Sequence, residues 1–225
     1  TRGHQKILEE LVEKRTQELK KKNRFLSNAM LNTIVVLTQT IEAKDPYTRG
    51  HCLRVSNFCV EIAKVYGLSK KSLKNLRIGS ILHDIGKIGI PGNILNKPGR
   101  LDDEEFEIIK KHPVIGANIL KNVEYYNPVI PILRHHHERY DGKGYPDNIT
   151  NSDMPPEIAA ITVADTYDAI TSSRPYRKAI PEEKALSILN EVKGTQLHPD
   201  MVDIFIENKL YKTEHKNLMQ IDFSF

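Results

Sequence analysis

Six of the nine histidines fall between positions 51 and 137: His51, His83, His112, His135, His136 and His137. Imidazoles and carboxylates together form a ligand set for divalent iron, manganese or zinc, and no thiolate is required. Carboxylates accompany them here, since Asp84 follows His83 directly and Asp165 and Asp168 lie further along the chain. A carboxylate has two oxygens, so Asp84 can bridge a metal pair while neighbouring imidazoles each serve one ion. Two ions roughly 3.5–4 Å apart, with a shared water or hydroxide, form a device for in-line attack on phosphorus. A lone histidine is more often a surface or satisfied core residue. Six together, with two dyads and a partner aspartate, reverse that weighting.

Lys87 follows His83 by four residues, so a helix continuing that far puts both side chains on one face. A cation there can steady phosphoryl oxygens or protonate a leaving alkoxide. The plainer reading is a surface lysine favoured by a helix C-terminus. Gly86 leaves room beside the pair. Asp168, one helical turn after Asp165, either orients the attacking water or Lys87, or is an ordinary surface residue. Those two readings are nearly even. Cys52 and Cys59 are seven residues apart, about 10 Å along a helix, too far for an easy disulfide. They read as small buried residues of a reducing compartment.

The elements that must position these groups read as helices. Residues 4–44 contain no Pro and no Gly. Leu8, Val12, Leu19 and Leu26 fall near heptad positions, with Arg15 and Lys22 interrupting the seam. A parallel coiled-coil connector from an upstream sensor is one expectation. Packing on its own domain is equally weighted for residues 25–44, where Phe25, Leu26, Met30, Ile34, Leu37 and Ile41 recur at helical spacing. Residues 55–66 are periodic, with Gly67 as a stop, and Ser69 can cap a helix reaching Leu82. Asp102 or Asp103 opens an acidic first turn of a helix that ends before Pro113. Further helices are expected near 114–122, 128–138, 156–171, 182–192 and 199–209. No strand-like alternation and no repeat is found, so the fold class is all-α. The long loop at 140–155, rich in Gly, Pro, Asp and Asn, is of the kind that carries function.

The chain has 225 residues, 28% of them charged, with 33 Lys and Arg against 29 Asp and Glu. That balance of +4 attracts anionic ligands but lacks the dense basic blocks of a nucleic-acid arm. Hydrophobic residues make up 39%, and no run of about 18 apolar residues appears, so no membrane span is expected. The polar N-terminus shows no signal peptide, and a cytoplasmic location is expected. The chain begins with Thr1 rather than Met, as an excised fragment would.

The ordered motifs resemble a known family. Leu82, His83, Asp84, Ile85, Gly86 and Lys87 look like the signature of the HD metal-dependent phosphohydrolases. His136, His137, Glu138, Asp141, Gly142, Gly144, Tyr145 and Pro146 match the long signature of the HD-GYP subfamily without a departure. Blocks around Tyr47 to His51 and from Asp165 through Arg177 resemble it too, so the likeness covers roughly residues 30–210.

The resemblance implies an HD-type helical bundle over residues 30–225, preceded by a signalling or coiled-coil helix over 1–29. It implies a bacterial phosphodiesterase that hydrolyses cyclic di-GMP to pGpG, to GMP, or to both. By that likeness His51, His83, Asp84 and Asp165 hold one metal, and Asp84, His112, His136 and His137 hold the second. His135 lies outside the matched ligand set. Some members carry a Glu where this chain has Tyr47, and bind a third metal; a neutral phenol is a poor ligand, so two ions are expected, iron or manganese. Arg174 and Arg177 offer paired donors to the two phosphates. Gly142 and Gly144 allow a tight loop, and Tyr145 offers a ring for guanine. Partners would be the dinucleotide, a second copy through the N-terminal helix, and an upstream sensor or receiver domain, with no long nucleic acid. The competing readings are a receptor that binds the dinucleotide without cleaving it, and an HD nucleotidase acting on other nucleotides.

Overall fold

The computed structural model of the chain describes residues 2–45, 50–173 and 179–213. It divides into two compact units, Thr1–Leu37 and Thr38–Phe225. Among the described residues there is no strand, only an isolated bridge between Lys193 and Leu197, and the fold is all-α.

Helix α1 runs Arg2–Lys44 without interruption, and its part before residue 38 forms the first unit. Absence of Pro and of interior Gly beyond Gly3 leaves nothing to break it. Its apolar residues Leu8, Val12, Leu19, Phe25 and Leu26 are all more than half exposed.

The second unit is a bundle of short helices. They are α2 (His51–Tyr66), α3 (Lys70–Leu82), α4 (Gly92–Leu95), α5 (Asp103–Ile109) and α6 (His112–Leu120). After these come α7 (Ile130–His135), α8 (Pro156–Thr171), α9 (Glu182–Glu191) and α10 (Pro199–Glu207). Their ends follow local chemistry. Gly67 takes a left-handed φ of 92° and its N–H closes α2 on the carbonyls of Ala63 and Lys64. The Ser69 hydroxyl accepts from Ser72 N to start α3, and Asp102 with Glu105 forms a capping box on α5.

Helix α8 is apolar on nearly every side, so it lies inside, against α2, α7, α9 and α10. Ala159, Ala160 and Ala164, fully buried, let neighbouring backbones come close. Phe58 of α2, Tyr167 of α8 and Phe205 of α10 pack edge to face with centroids 4.9–5.4 Å apart. This core fixes the helix that carries Asp165 and Asp168. Cys52 and Cys59 are both free and buried.

Three local features bear on the site, and one of them, the end of α7, departs from the expected boundary. Helix α3 stops at Leu82, so Lys87 lies on a separate 3-10 turn, Ile85–Gly89, and not on a continuing helix face. A Cβ built on Gly86 would stand 1.8 Å from the His112 carbonyl, so this residue is where the backbone of α6 passes, and the room expected beside it is absent. Helix α7 stops at His135, short of 138, because Glu138 N bonds back to the His135 carbonyl (2.9 Å) and turns the chain. The 140–155 loop contains a short 3-10 turn, Asn151–Asp153.

Candidate metal centre

The last turn of a helix leaves carbonyls without partners. Three histidines exploit this in one way. His83 Nδ1 lies 2.6 Å from Ser80 O at the end of α3, His112 Nδ1 2.8 Å from Ile109 O at the end of α5, and His136 Nδ1 2.7 Å from Leu133 O in α7. A carbonyl only accepts, so each Nδ1 carries the proton and each Nε2 presents a lone pair. The Nε2 atoms of His112 and His136 face each other at 3.1 Å, and His83 Nε2 is buried without a hydrogen-bond partner. Burial pushes His112 down to about 3 and His137 down to about 4, and drives His136 well below its ordinary value. Neutral imidazole lone pairs aimed at one another repel unless a cation lies between them. The donor set therefore fits a metal.

His51 opens α2 behind Gly50, which adopts a left-handed φ of 70°. Its Nδ1 donates to Asp168 Oδ2 (2.7 Å), and its Nε2 lies 3.2 Å from Asp165 Oδ1 and 3.8 Å from Asp84 Oδ2. Burial alone would lower the His51 pKa, but hydrogen bonds to Asp165 and Asp168 raise it to about 9. Burial opposes ionisation of Asp165, yet the His51 hydrogen bond holds its carboxyl well below the usual range.

Asp84 lies between the two histidine groups. Its Oδ1 is 3.4 Å from His112 Nε2, and its Oδ2 is 3.5 Å from His83 Nε2. Burial would raise its pKa, but Lys87 first and the surrounding histidines next keep it well below the ordinary value. Ligand atoms of His51, His83 and Asp84 lie within 4.8 Å of one another, and so do those of His112, His136 and His137. Asp165 adjoins the first group through His51.

Lys87 Nζ is 2.8 Å from Asp84 Oδ2 and 3.3 Å from Asp45 Oδ2. The 3-10 turn, with Lys87 N bonded to Asp84 O, brings the ammonium there. Asp168 is buried, so it is not an ordinary surface residue. Its carboxylate stands behind His51, with Oδ1 taking Arg54 Nε at 2.5 Å and Oδ2 also within reach of Ser172. From there it can orient the His51 imidazole. Arg54 and Asp45 went unnoticed in the sequence. The spacing of Arg54, one helical turn after His51, is the signal that could have found it.

The glycine-rich loop folds back on His137. A Cβ on Gly144 would fall within 2.6 Å of the backbone of Glu138 and Arg139, and Gly142 has a left-handed φ of 73°. Tyr145 N donates to His137 O (3.2 Å), and the two rings stack at 4.9 Å and 29°. One face of the ring expected to receive guanine is thus occupied by His137. His135 turns away from the two groups toward Glu138 and Asp147, and Asp147 is held by a forked pair from Arg134. Tyr47, Arg174 and Arg177 lie outside the described residues.

Comparison with known proteins follows the same line. A family model described as HD domain matches residues 6–201. The chain is 35% identical over 179 residues to the cyclic di-GMP phosphodiesterase response regulator RpfG of Xanthomonas campestris, covering 79% of this chain and 47% of that protein. It is 36% identical over 176 residues to the 3'3'-cGAMP-specific phosphodiesterase 3 of Vibrio cholerae, covering 78% and 38%. This chain spans less than half the length of either relative. A crystal structure of a cyclic GMP-AMP specific phosphodiesterase from Vibrio cholerae superposes with a TM-score of 0.63 at 16% identity, over 81% of this chain and 49% of that one, a likeness of fold.

Proposed function

The chain belongs to the HD-domain family, and on that premise we propose that it is a metal-dependent phosphodiesterase hydrolysing a cyclic dinucleotide, with cyclic di-GMP as substrate. The observation that carries this reading is Asp84, whose two oxygens face two separate histidine groups. Names borne by relatives at 35% and 36% identity, for cyclic di-GMP and 3'3'-cGAMP, supply the substrate class.

His51, His83, Asp84 and Asp165 would hold one divalent ion, and Asp84, His112, His136 and His137 a second; iron or manganese suits nitrogen and oxygen donors without thiolate. Bound there, such ions supply an acidified water and positive charge for the phosphoryl oxygens. The chain's own residues do the rest. Asp168 and Arg54 hold the His51 ring, and the loop carrying Gly142, Gly144 and Tyr145 holds His137 from behind. As the oxygen of that water, its proton released to solvent, would bond to phosphorus and the bond to the ribose 3′ oxygen break, Lys87 Nζ would give that oxygen a proton and be reprotonated from solvent. Arg174 and Arg177 are assigned to the phosphates. The product is pGpG, GMP or both.

Residues 1–29 serve in this reading as a connector that pairs with a second copy along the exposed Leu8, Val12, Leu19 and Leu26 stripe. Sedimentation of the chain with and without those residues tests it.

Chromatography of cyclic di-GMP and 3'3'-cGAMP after incubation with metal-loaded protein tests the activity. Linear product is expected, and Asp84→Ala should abolish it. Calorimetric binding with no product from wild type would replace this reading by a receptor.

A further inference from the structure

The turn that carries Lys87 is too short to hold itself. Ile85–Gly89 is a single 3-10 stretch, closed by Lys87 N to Asp84 O (3.0 Å) and by Ile90 N to Lys87 O (3.1 Å). Such turns have poor hydrogen-bond geometry and few bonds per residue. Yet Lys87 must stay within hydrogen-bond distance of the carboxylate that joins the two histidine groups. Something outside the turn has to fix it.

Lys44, the last residue of α1, does so. Its ammonium has three N–H donors, and three carbonyls of one segment meet it: Lys87 O at 3.2 Å, Ile88 O at 2.5 Å and Ile90 O at 2.7 Å. A lysine on a surface ordinarily keeps its head in water. Here the head is spent on the otherwise weakly bonded C-terminal end of the turn, through charge-assisted bonds stronger than neutral ones. The backbone of Lys44 is itself anchored, since its carbonyl accepts from Asn96 Nδ2 at 3.1 Å beyond α4. The next residue, Asp45, is buried and touches Lys87 Nζ. Two consecutive residues thus grip the same turn, one by its carbonyls and one by its working side chain.

We propose that Lys44 is a positioning residue for the hydrolytic reaction: it braces the 85–90 segment and so sets where Lys87 stands relative to Asp84. The proposal rests on the phosphodiesterase reading above. Lys44 Nζ bonds the turn through its carbonyls, so its effect passes through the backbone of the turn.

The test uses the full chain loaded with manganese, with cyclic di-GMP and the small diester bis(p-nitrophenyl) phosphate as substrates. Lys44→Met keeps the aliphatic stem and removes the donors. It should lower kcat by roughly ten- to hundredfold, the scale of about 1 Å of misplacement, with KM and metal content within twofold. Lys44→Arg should restore most of the loss. In a Lys87→Met background, Lys44→Met should cost nothing further, whereas a general structural role would cost as much again. Hydrogen exchange of the 85–90 amides should quicken in Lys44→Met while the core amides of α8 stay protected. Unchanged kcat, or an undiminished loss on top of Lys87→Met, overturns the proposal. If wild type cleaves neither substrate, the phosphodiesterase reading fails, and unaltered exchange at 85–90 would then separately refute the brace.

Discussion

Replacing Gly86 by Ala probes the place where the two halves of the centre meet. The added Cβ would lie 1.8 Å from His112 O, 2.6 Å from Gly116 N and 2.8 Å from His112 C. These are backbone atoms of α6, which cannot swing aside as a side chain can. Ordinary contact begins near 3.4 Å, so α6 and the 3-10 turn must separate by 3.4 − 1.8, about 1.6 Å. His112 rides on α6 and Asp84 borders the turn, with His112 Nε2 and Asp84 Oδ1 now 3.4 Å apart. Metal–ligand distances tolerate about 0.2 Å, so a shift eight times larger removes His112 from any ion that Asp84 shares. If the proposed two-ion centre is right, Gly86→Ala should bind one divalent ion fewer than wild type, by elemental analysis after gel filtration. Cyclic di-GMP hydrolysis should fall at least hundredfold, and overpacking should cost about 1–3 kcal/mol of stability. Gly92→Ala is the control, since nothing lies within 4 Å of its Cβ. A Gly86→Ala protein that is folded, holds two ions and hydrolyses within twofold of wild type would refute the shared-ligand argument.

Asp168→Asn keeps the shape but removes the charge that holds His51 Nδ1–H, so metal affinity should drop about ten- to hundredfold in a chelator competition. Retained affinity would show that Asp168 serves α2 packing alone. Phe205→Ala empties the centre of the aromatic triad, fully buried against Phe58 and Tyr167, and should cost about 3–5 kcal/mol in urea unfolding. The hydrogen bond from Arg139 holds the Asp141 carboxyl at about 2, below its ordinary 3.8. A depressed carboxylate stabilises the fold above the unfolded pKa and stops doing so as pH falls through the folded one. Asp141→Asn should hence lower the unfolding free energy measured by urea at pH 6, by less than about 1 kcal/mol because the pair is only partly buried, and the gap should shrink by pH 3.

Much of the fold was legible because its signals are local. Gly67, Ser69 and the Asp102 capping box end or start helices by bonds made within four residues, and those boundaries agree with the periodic reading. The α8 span 156–171 agrees as well, since Pro156 can open a helix and its apolar run has no polar face to expose. What was not legible depends on distant backbone. Gly86 looks like a spacer in the sequence and is a crossing point in three dimensions, because the residue it must avoid is His112. Asp45 and Arg54 carry no motif of their own, and each matters only through a partner far along the chain, Lys87 and Asp168.

The histidines make the same point about helix geometry. Adjacent helical residues diverge by about 100°, which argues against His136 and His137 serving one cluster. Their rings nevertheless lie 4.2 Å apart in one group with His112. The rule fails because α7 ends at His135 and the chain turns beyond the His136 cap instead of continuing as a helix through His137. The same holds elsewhere: His83 caps the end of α3, Asp84 precedes the 3-10 turn, and His51 and His112 each open a helix. Only Asp165 comes from a helix interior. A centre built from helix ends gains two things that a centre built on helix faces lacks. Unpaired terminal carbonyls fix which imidazole nitrogen carries the proton, and the backbone is free to aim each ring independently. Sequence periodicity locates helix faces, so it identifies the ligands by type yet misplaces how they converge.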